Sequence, residues 1–158
     1  MGRLAPDMIT MDAVIPRTRL PEVLVAIDRM SERYGLGVAN VFHAGDGNLH
    51  PNISFDGRDP DQVRRVAAAS KEILELCVGV GGSITGEHGV GMDKMESMKL
   101  IFSDADLEKM LLVREVFNPF GLCNPGKVLP TTKTCRYCGF GIEDVRHTAL
   151  TPHGRSDA

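Results

Sequence analysis

The chain has 158 residues, enough for one hydrophobic core of ordinary size and too few for a complete multidomain enzyme. Its 18 basic and 21 acidic side chains leave a net charge of −3 with neither sign gathered into a block, which excludes the basic footprint of a nucleic-acid binder. A hydrophobic share of 42% fits a folded soluble chain. No apolar run is long enough for a membrane span and Met1–Met11 lacks a signal-peptide core, so a cytoplasmic location is expected, with the cysteines at 77, 123, 135 and 138 free rather than bridged.

In chain order, Asp12 to Pro16 reads as a short strand stopped by the proline. Leu20 to Tyr34 then places Leu20, Val23, Leu24, Ile27 and Met30 at helical spacing, and Gly35 supplies a left-handed cap. Gly37–Phe42 and Leu49–Phe55 are rich in β-branched and aromatic residues, and Asp46-Gly47 between them signals a two-residue hairpin turn. That turn pairs His43 with His50 and Val41 with Asn52, so the histidines share one face while Val38, Phe42, Ile53 and Phe55 form the core face. A one-residue slip would separate the pair.

Asp59 and Pro60 open a second helix to about Val78, with Val63, Val66, Ala67, Ser70, Ile73, Leu74 and Cys77 on one side. Six glycines between Gly79 and Gly91 argue for an irregular loop whose backbone can approach another surface closely. Ser103, Asp104 and Asp106 start a third helix carrying Leu107, Met110, Leu111, Arg114 and Phe117, and Asn118-Pro119 ends it. After Pro130 no period is sustained, so residues 131–158 are expected to be a mobile tail; a zinc site built from Cys135, Cys138, His147 and His153 is the lesser reading there. The element order predicts an α+β fold, an antiparallel sheet with helices packed on one face.

Two imidazoles converging from a hairpin can hold a metal, although two alone make a weak site and catalytic zinc commonly takes three protein ligands. The segment GGSITGEHGVG offers Glu87 as the third and His88 as a neighbouring base. A pair of surface histidines and a glycine-rich turn with a solvated Glu and His are the plain alternatives, and spacing alone does not bring residue 87 to the hairpin. Among phosphate-loop patterns, the 79–91 glycines form no GxGxxG, and GLCNPGK at 121–127 has Val128 where Ser or Thr is required.

HAGDGNLHPN at 43–52, GGSITGEHGVG at 81–91 and NPGKVLP at 124–130 together resemble the C-terminal part of FAD-linked oxidases of the vanillyl-alcohol oxidase superfamily. The likeness is to the glycolate oxidase FAD-linked subunit and to D-lactate and D-2-hydroxyglutarate dehydrogenases, from about Asp12 to Pro130. The resemblance implies a partial substrate (cap) domain in residues 1–130, with the FAD-binding domain absent from the chain. It implies a divalent metal, Zn, Mn or Fe, on His43, His50 and Glu87, with His88 as the base and Asn52 binding substrate. Asn124 and Lys127 would face the flavin. The dehydrogenases' basic residue before the first strand has no counterpart in Met8–Met11, which leaves Arg17 and Arg19 as candidate partners of the substrate carboxylate.

The implied reaction is oxidation of a small 2-hydroxy acid to a 2-oxo acid with hydride transfer to FAD, the isolated chain being inactive. The implied partners are an FAD-binding domain or other oxidase subunits, through which the chain would lie peripheral to the inner membrane, and the uncovered domain face would favour self-association. The alternatives are a stand-alone metal-binding or metallohydrolase module, and a non-catalytic remnant that associates with an oxidase.

Overall fold

The computed structural model describes residues 5–130, so the expectations for the 131–158 tail and its cysteines and histidines lie outside the described residues. The described residues form two compact units. One runs to Val90 and takes back Ser97–Ile101; the other comprises Gly91–Glu96 and the chain from Phe102 onward.

The first unit is an α+β layer. Strands β1 (Asp7–Thr10), β2 (Ala13–Val14), β3 (Gly37–His43) and β4 (Asn48–Phe55) form an antiparallel sheet with β4 in the middle. β3 lies along one edge of β4, and β1 and β2 follow the other in a single register, Asp7 opposite Phe55 and Ala13 opposite Leu49. The expected strand at 12–16 is therefore only the short β2, and β1 is an addition. Four residues with an Asp at their head carry too little alternation to announce a strand; pairing with Ile53 and Ser54, distant in sequence, makes it one.

The hairpin register differs from expectation. His43 opposes Asn48, Val41 opposes His50 and Ala39 opposes Asn52. The connection is the four residues 44–47, because the His43 carbonyl accepts from both Asp46 N and Gly47 N at 3.0 Å. Gly47 sits at φ 74°, and a Cβ there would lie 2.1 Å from the Ile15 carbonyl oxygen, so only glycine fits this turn. The register moved by two residues, an even number, so every side chain keeps its expected face.

One face of the sheet is the core. Met11, Ala13, Ile15, Leu49 and Ile53 are buried there with Val23, Ile27 and Met30 of α1 (Leu20–Tyr34) and Val66, Ala69, Ile73, Leu74 and Cys77 of α2 (Pro60–Gly79). Ala69 takes the inward position expected of Ala67, and Phe42 at the hairpin end is 38% exposed rather than core. Truncating a residue such as Ile73, 1% exposed, to Ala costs about 2–5 kcal/mol. α1 ends as expected on Gly35 at φ 59°, and the Asp59 side chain caps α2 by accepting from the Asp61 and Gln62 amides. Glu72 of α2 accepts from Arg33 and from Tyr34 Oη, which ties the helices together and lowers the Glu72 pKa, Arg33 contributing most. None of the helices of the described residues is long and apolar enough to cross a membrane.

In the second unit α3 (Asp104–Phe117) starts at a capping box, in which the Ser103 side chain accepts from the Asp106 amide and Asp106 accepts from the Ser103 amide. Only Leu107 of its expected apolar face is buried; Phe117 is 83% exposed, beside exposed Val116, Phe120 and Leu122.

Candidate metal and acid-base site

The second face of the sheet carries the polar residues. Because β4 alternates, Asn48, His50 and Asn52 all project from this face, and each is buried. His43 reaches it from the neighbouring strand, with the His43 and His50 ring centroids 5.4 Å apart and nearly perpendicular. The register shift therefore leaves the two histidines diagonal instead of opposed, still within mutual reach.

The glycine-rich loop arrives along the β2 edge. Val14 and Ser83 exchange backbone hydrogen bonds of 3.1 and 2.8 Å, which sets the loop beside the sheet. Gly86 then passes so close that a Cβ would meet Asn48 Oδ1 at 2.6 Å and Val14 Cγ2 at 2.7 Å. This approach brings Glu87 Oε1 to 3.1 Å from His50 Nε2 and 3.6 Å from His88 Nε2. The His88 ring stacks on His50 at 5.0 Å.

Asp12 anchors that loop, a role the sequence reading missed. Its carboxylate is fully buried, and Oδ2 accepts from Thr85 Oγ1 (2.6 Å) and from the Gly86, Glu87 and His88 amides (2.9, 3.2 and 3.0 Å). Consecutive amides turned onto one carboxylate form an anion nest, and the loop cannot move without undoing it. The available signal was an acidic residue at the head of the apolar segment Asp12–Ile15.

His50 has a fixed orientation. Its Nδ1 lies 3.1 Å from the Met11 carbonyl oxygen, and since a carbonyl only accepts, Nδ1 carries the proton. Its Nε2 faces the Glu87 carboxylate at 3.1 Å, so an imidazole protonated on Nδ1 alone offers its Nε2 lone pair to a cation beside that carboxylate. Ligand atoms of His43, His50 and Glu87 lie within 4.8 Å of one another, and so do those of Asp12, His50 and His88. The first set fits a divalent metal, since it combines two imidazoles with a carboxylate whose ligand atoms already lie close together.

The set opens into a depression of about 340 Å³ lined by Thr10, Val41, His43, His50, Asn52, Glu87 and His88. A larger groove of about 460 Å³ near Gly35, Gly37 and Phe55 lacks any such group of ligands, and chemistry decides between them. Asn52 lines the depression, but its side chain already accepts from Thr10 Oγ1 at 2.6 Å and donates to the His50 carbonyl at 2.9 Å. Arg17 and Arg19 are exposed and turned to other partners: Arg17 donates to the Gly45 carbonyl and Arg19 pairs with Glu22.

Asn124 and Lys127 belong to the second unit, where Lys127 Nζ donates to Asn124 Oδ1 at 3.4 Å. The Arg114 guanidinium clamps their segment by donating to the carbonyls of Cys123, Asn124 and Lys127. GLCNPGK is thus a turn stapled through its carbonyls, and no helix follows it among the described residues.

One face of the sheet and the glycine-rich loop beside it thus gather His43, His50, Glu87 and His88 around one depression. Residues 1–128 match the family "FAD linked oxidases, C-terminal domain", and the chain belongs to that family. It is 48% identical over 150 residues to the glycolate oxidase subunit GlcD of Escherichia coli K12, covering 95% of this chain and 30% of that protein. It is 34% identical to a probable mitochondrial D-lactate dehydrogenase of Danio rerio, covering 78% of this chain and 25% of the relative. With the D-2-hydroxyglutarate dehydrogenase of Stutzerimonas stutzeri it shares 43% identity over 54% of this chain and 19% of the relative. The chain thus spans less than a third of these relatives. None of them supports the expected self-association.

Proposed function

We propose that the chain is the substrate- and metal-binding part of a flavin-dependent 2-hydroxy-acid dehydrogenase, working with an FAD-binding domain in the remainder of the enzyme or in a partner subunit. The observation that carries this reading is the convergence of His43, His50 and Glu87 on one point beside His88. These three residues would hold a divalent ion, Zn, Mn or Fe, which when bound supplies the Lewis acidity that makes a substrate hydroxyl easier to deprotonate. Flavin, once bound, supplies the hydride acceptor; Asn124 and Lys127 are the residues assigned to its side of the enzyme.

The chain's own residues do the rest. Thr10, Val41 and Asn52 wall the depression, and Asn52 would turn its amide from Thr10 to the substrate. His88, stacked on His50, is held within reach of the same point and takes the hydroxyl proton on its imidazole. Asp12 keeps His88 and Glu87 at that spacing through their backbone amides. Arg17 and Arg19 would need to leave the Gly45 carbonyl and Glu22 before they could meet a carboxylate.

Metal analysis of the purified chain and of His43→Ala tests the reading. About one equivalent of transition metal in the first and little in the second is expected; equal content in both removes the site.

A further inference from the structure

Pro51 stands in the middle of the central strand, where a residue without an N–H is out of place. It is fully buried on the core face, so it is not an edge residue. Its neighbour across the β1–β2 edge is Met11, whose amide donates to the Pro51 carbonyl at 2.9 Å. In an antiparallel ladder such a pair exchanges two bonds, and the return bond would run from residue 51 N–H to the Met11 carbonyl. Proline cannot make it. The edge strand is accordingly interrupted between β1 and β2, at Met11 and Asp12, although the register continues unbroken. The carbonyl released by the proline is the one that accepts from His50 Nδ1 at 3.1 Å.

We propose that Pro51 is a positioning residue for the metal site: by withholding a ladder donor it reserves the Met11 carbonyl for His50, which fixes the proton on Nδ1 and turns Nε2 toward Glu87. The proposal rests on the metal reading above for its function, but the proton's location can be tested without metal. A backbone N–H at position 51 would approach the carbonyl along the strand-to-strand direction and compete with the imidazole. A ligating histidine gains affinity and orientation from a partner on its other nitrogen, and loss of such a partner typically weakens metal binding about 10- to 100-fold.

The test compares two full-length chains with the same side chain at residue 51. One is Pro51→Val, which restores the N–H; the other carries the matching 2-hydroxy acid, so that an ester oxygen replaces it. Side-chain ¹⁵N spectra of His50 in the metal-free proteins report which nitrogen is protonated, and a zinc competition titration reports affinity. The expected result is a shift of the His50 proton toward Nε2 in Pro51→Val, with zinc affinity about 10-fold lower or worse. The ester chain should resemble wild type in both measurements. If Pro51→Val keeps Nδ1 protonated and binds zinc as wild type does, the proposal is overturned; equal loss in both chains overturns it too, by assigning the effect to the proline ring. Should wild type bind no zinc, the metal reading fails while the ¹⁵N comparison still decides the role of Pro51. If valine prevents folding, Pro51→Ala and its ester take the same places.

Discussion

Replacing Asp12 by Asn keeps the shape of the buried anchor and removes its charge. The carboxylate accepts from one hydroxyl and three amides at 2.6 to 3.2 Å. A hydrogen bond to a charged group contributes about 1.5–3 kcal/mol against about 1 for a neutral one, so the loss is roughly 0.5–2 kcal/mol per bond. The four bonds share one oxygen and are not additive, which places Asp12→Asn at about 2–4 kcal/mol. For a chain of this length each kcal/mol moves the midpoint by about 2–4 °C, giving a fall in Tm of about 5–15 °C. Asp12→Ala should cost more, since it leaves the three loop amides and the Thr85 hydroxyl without their shared acceptor. The Glu87 and His88 amides are among the donors, so zinc affinity must fall together with stability. Thermal melts followed by circular dichroism, paired with a zinc competition titration, read both. An unchanged midpoint with unchanged zinc affinity would refute the anchoring argument.

Three further outcomes follow from the geometry. His88→Asn in an intact homologous enzyme should retain metal and lower kcat about 10²- to 10⁴-fold with little change in KM, measured by steady-state kinetics beside metal analysis; unchanged turnover reassigns His88 to structure. Gly86→Ala places a methyl 2.6 Å from Asn48 Oδ1 and 2.7 Å from Val14 Cγ2, and should destabilise by about 1–3 kcal/mol in urea unfolding with a loss of zinc affinity. Arg58 hydrogen bonds hold the Asp56 carboxyl down to about 2, below its unfolded value near 3.9. That pair therefore stabilises the fold above about pH 4 and loses its contribution as pH falls toward about 2, a slope that Asp56→Asn should flatten in acid unfolding.

What could be read from the sequence divides along the range of the interactions. α1 and its Gly35 cap, the Asp59 cap of α2 and the Ser103 start of α3 depend on residues a few positions apart, and they stand where the pattern put them. The hairpin strands were equally legible but their register was not. Asp46-Gly47 is the stronger local signal, yet Ile15 N donates to the Gly47 carbonyl at 2.9 Å and helps hold a four-residue loop in place. β1 depended on pairing with β4, and the inward turn of Ala69 on how α2 meets the sheet, neither of which leaves a trace in local periodicity.

The site shows why a shifted register still left the expected histidines and Asn52 on one face. Strand alternation has a period of two, so any even error preserves the face, and His43, His50 and Asn52 share one in every register an even number of residues from the expected one. Glu87 and His88 had no such protection, because nothing in a glycine-rich loop says where it goes. Their place is set by Asp12, seventy-odd positions upstream, and by the missing side chain of Gly86. Asp12 and Pro51 are two residues of this sheet, one on each face, whose type contradicts their element, a charge buried at a sheet edge and a proline in a central strand. Each contradiction resolves onto the same histidine: Asp12 Oδ1 lies 4.0 Å from His50 Nδ1, and the carbonyl that Pro51 leaves open holds that nitrogen's proton. Residues that break the local rule of their element, and prove buried while doing so, mark the framework that aims the histidines.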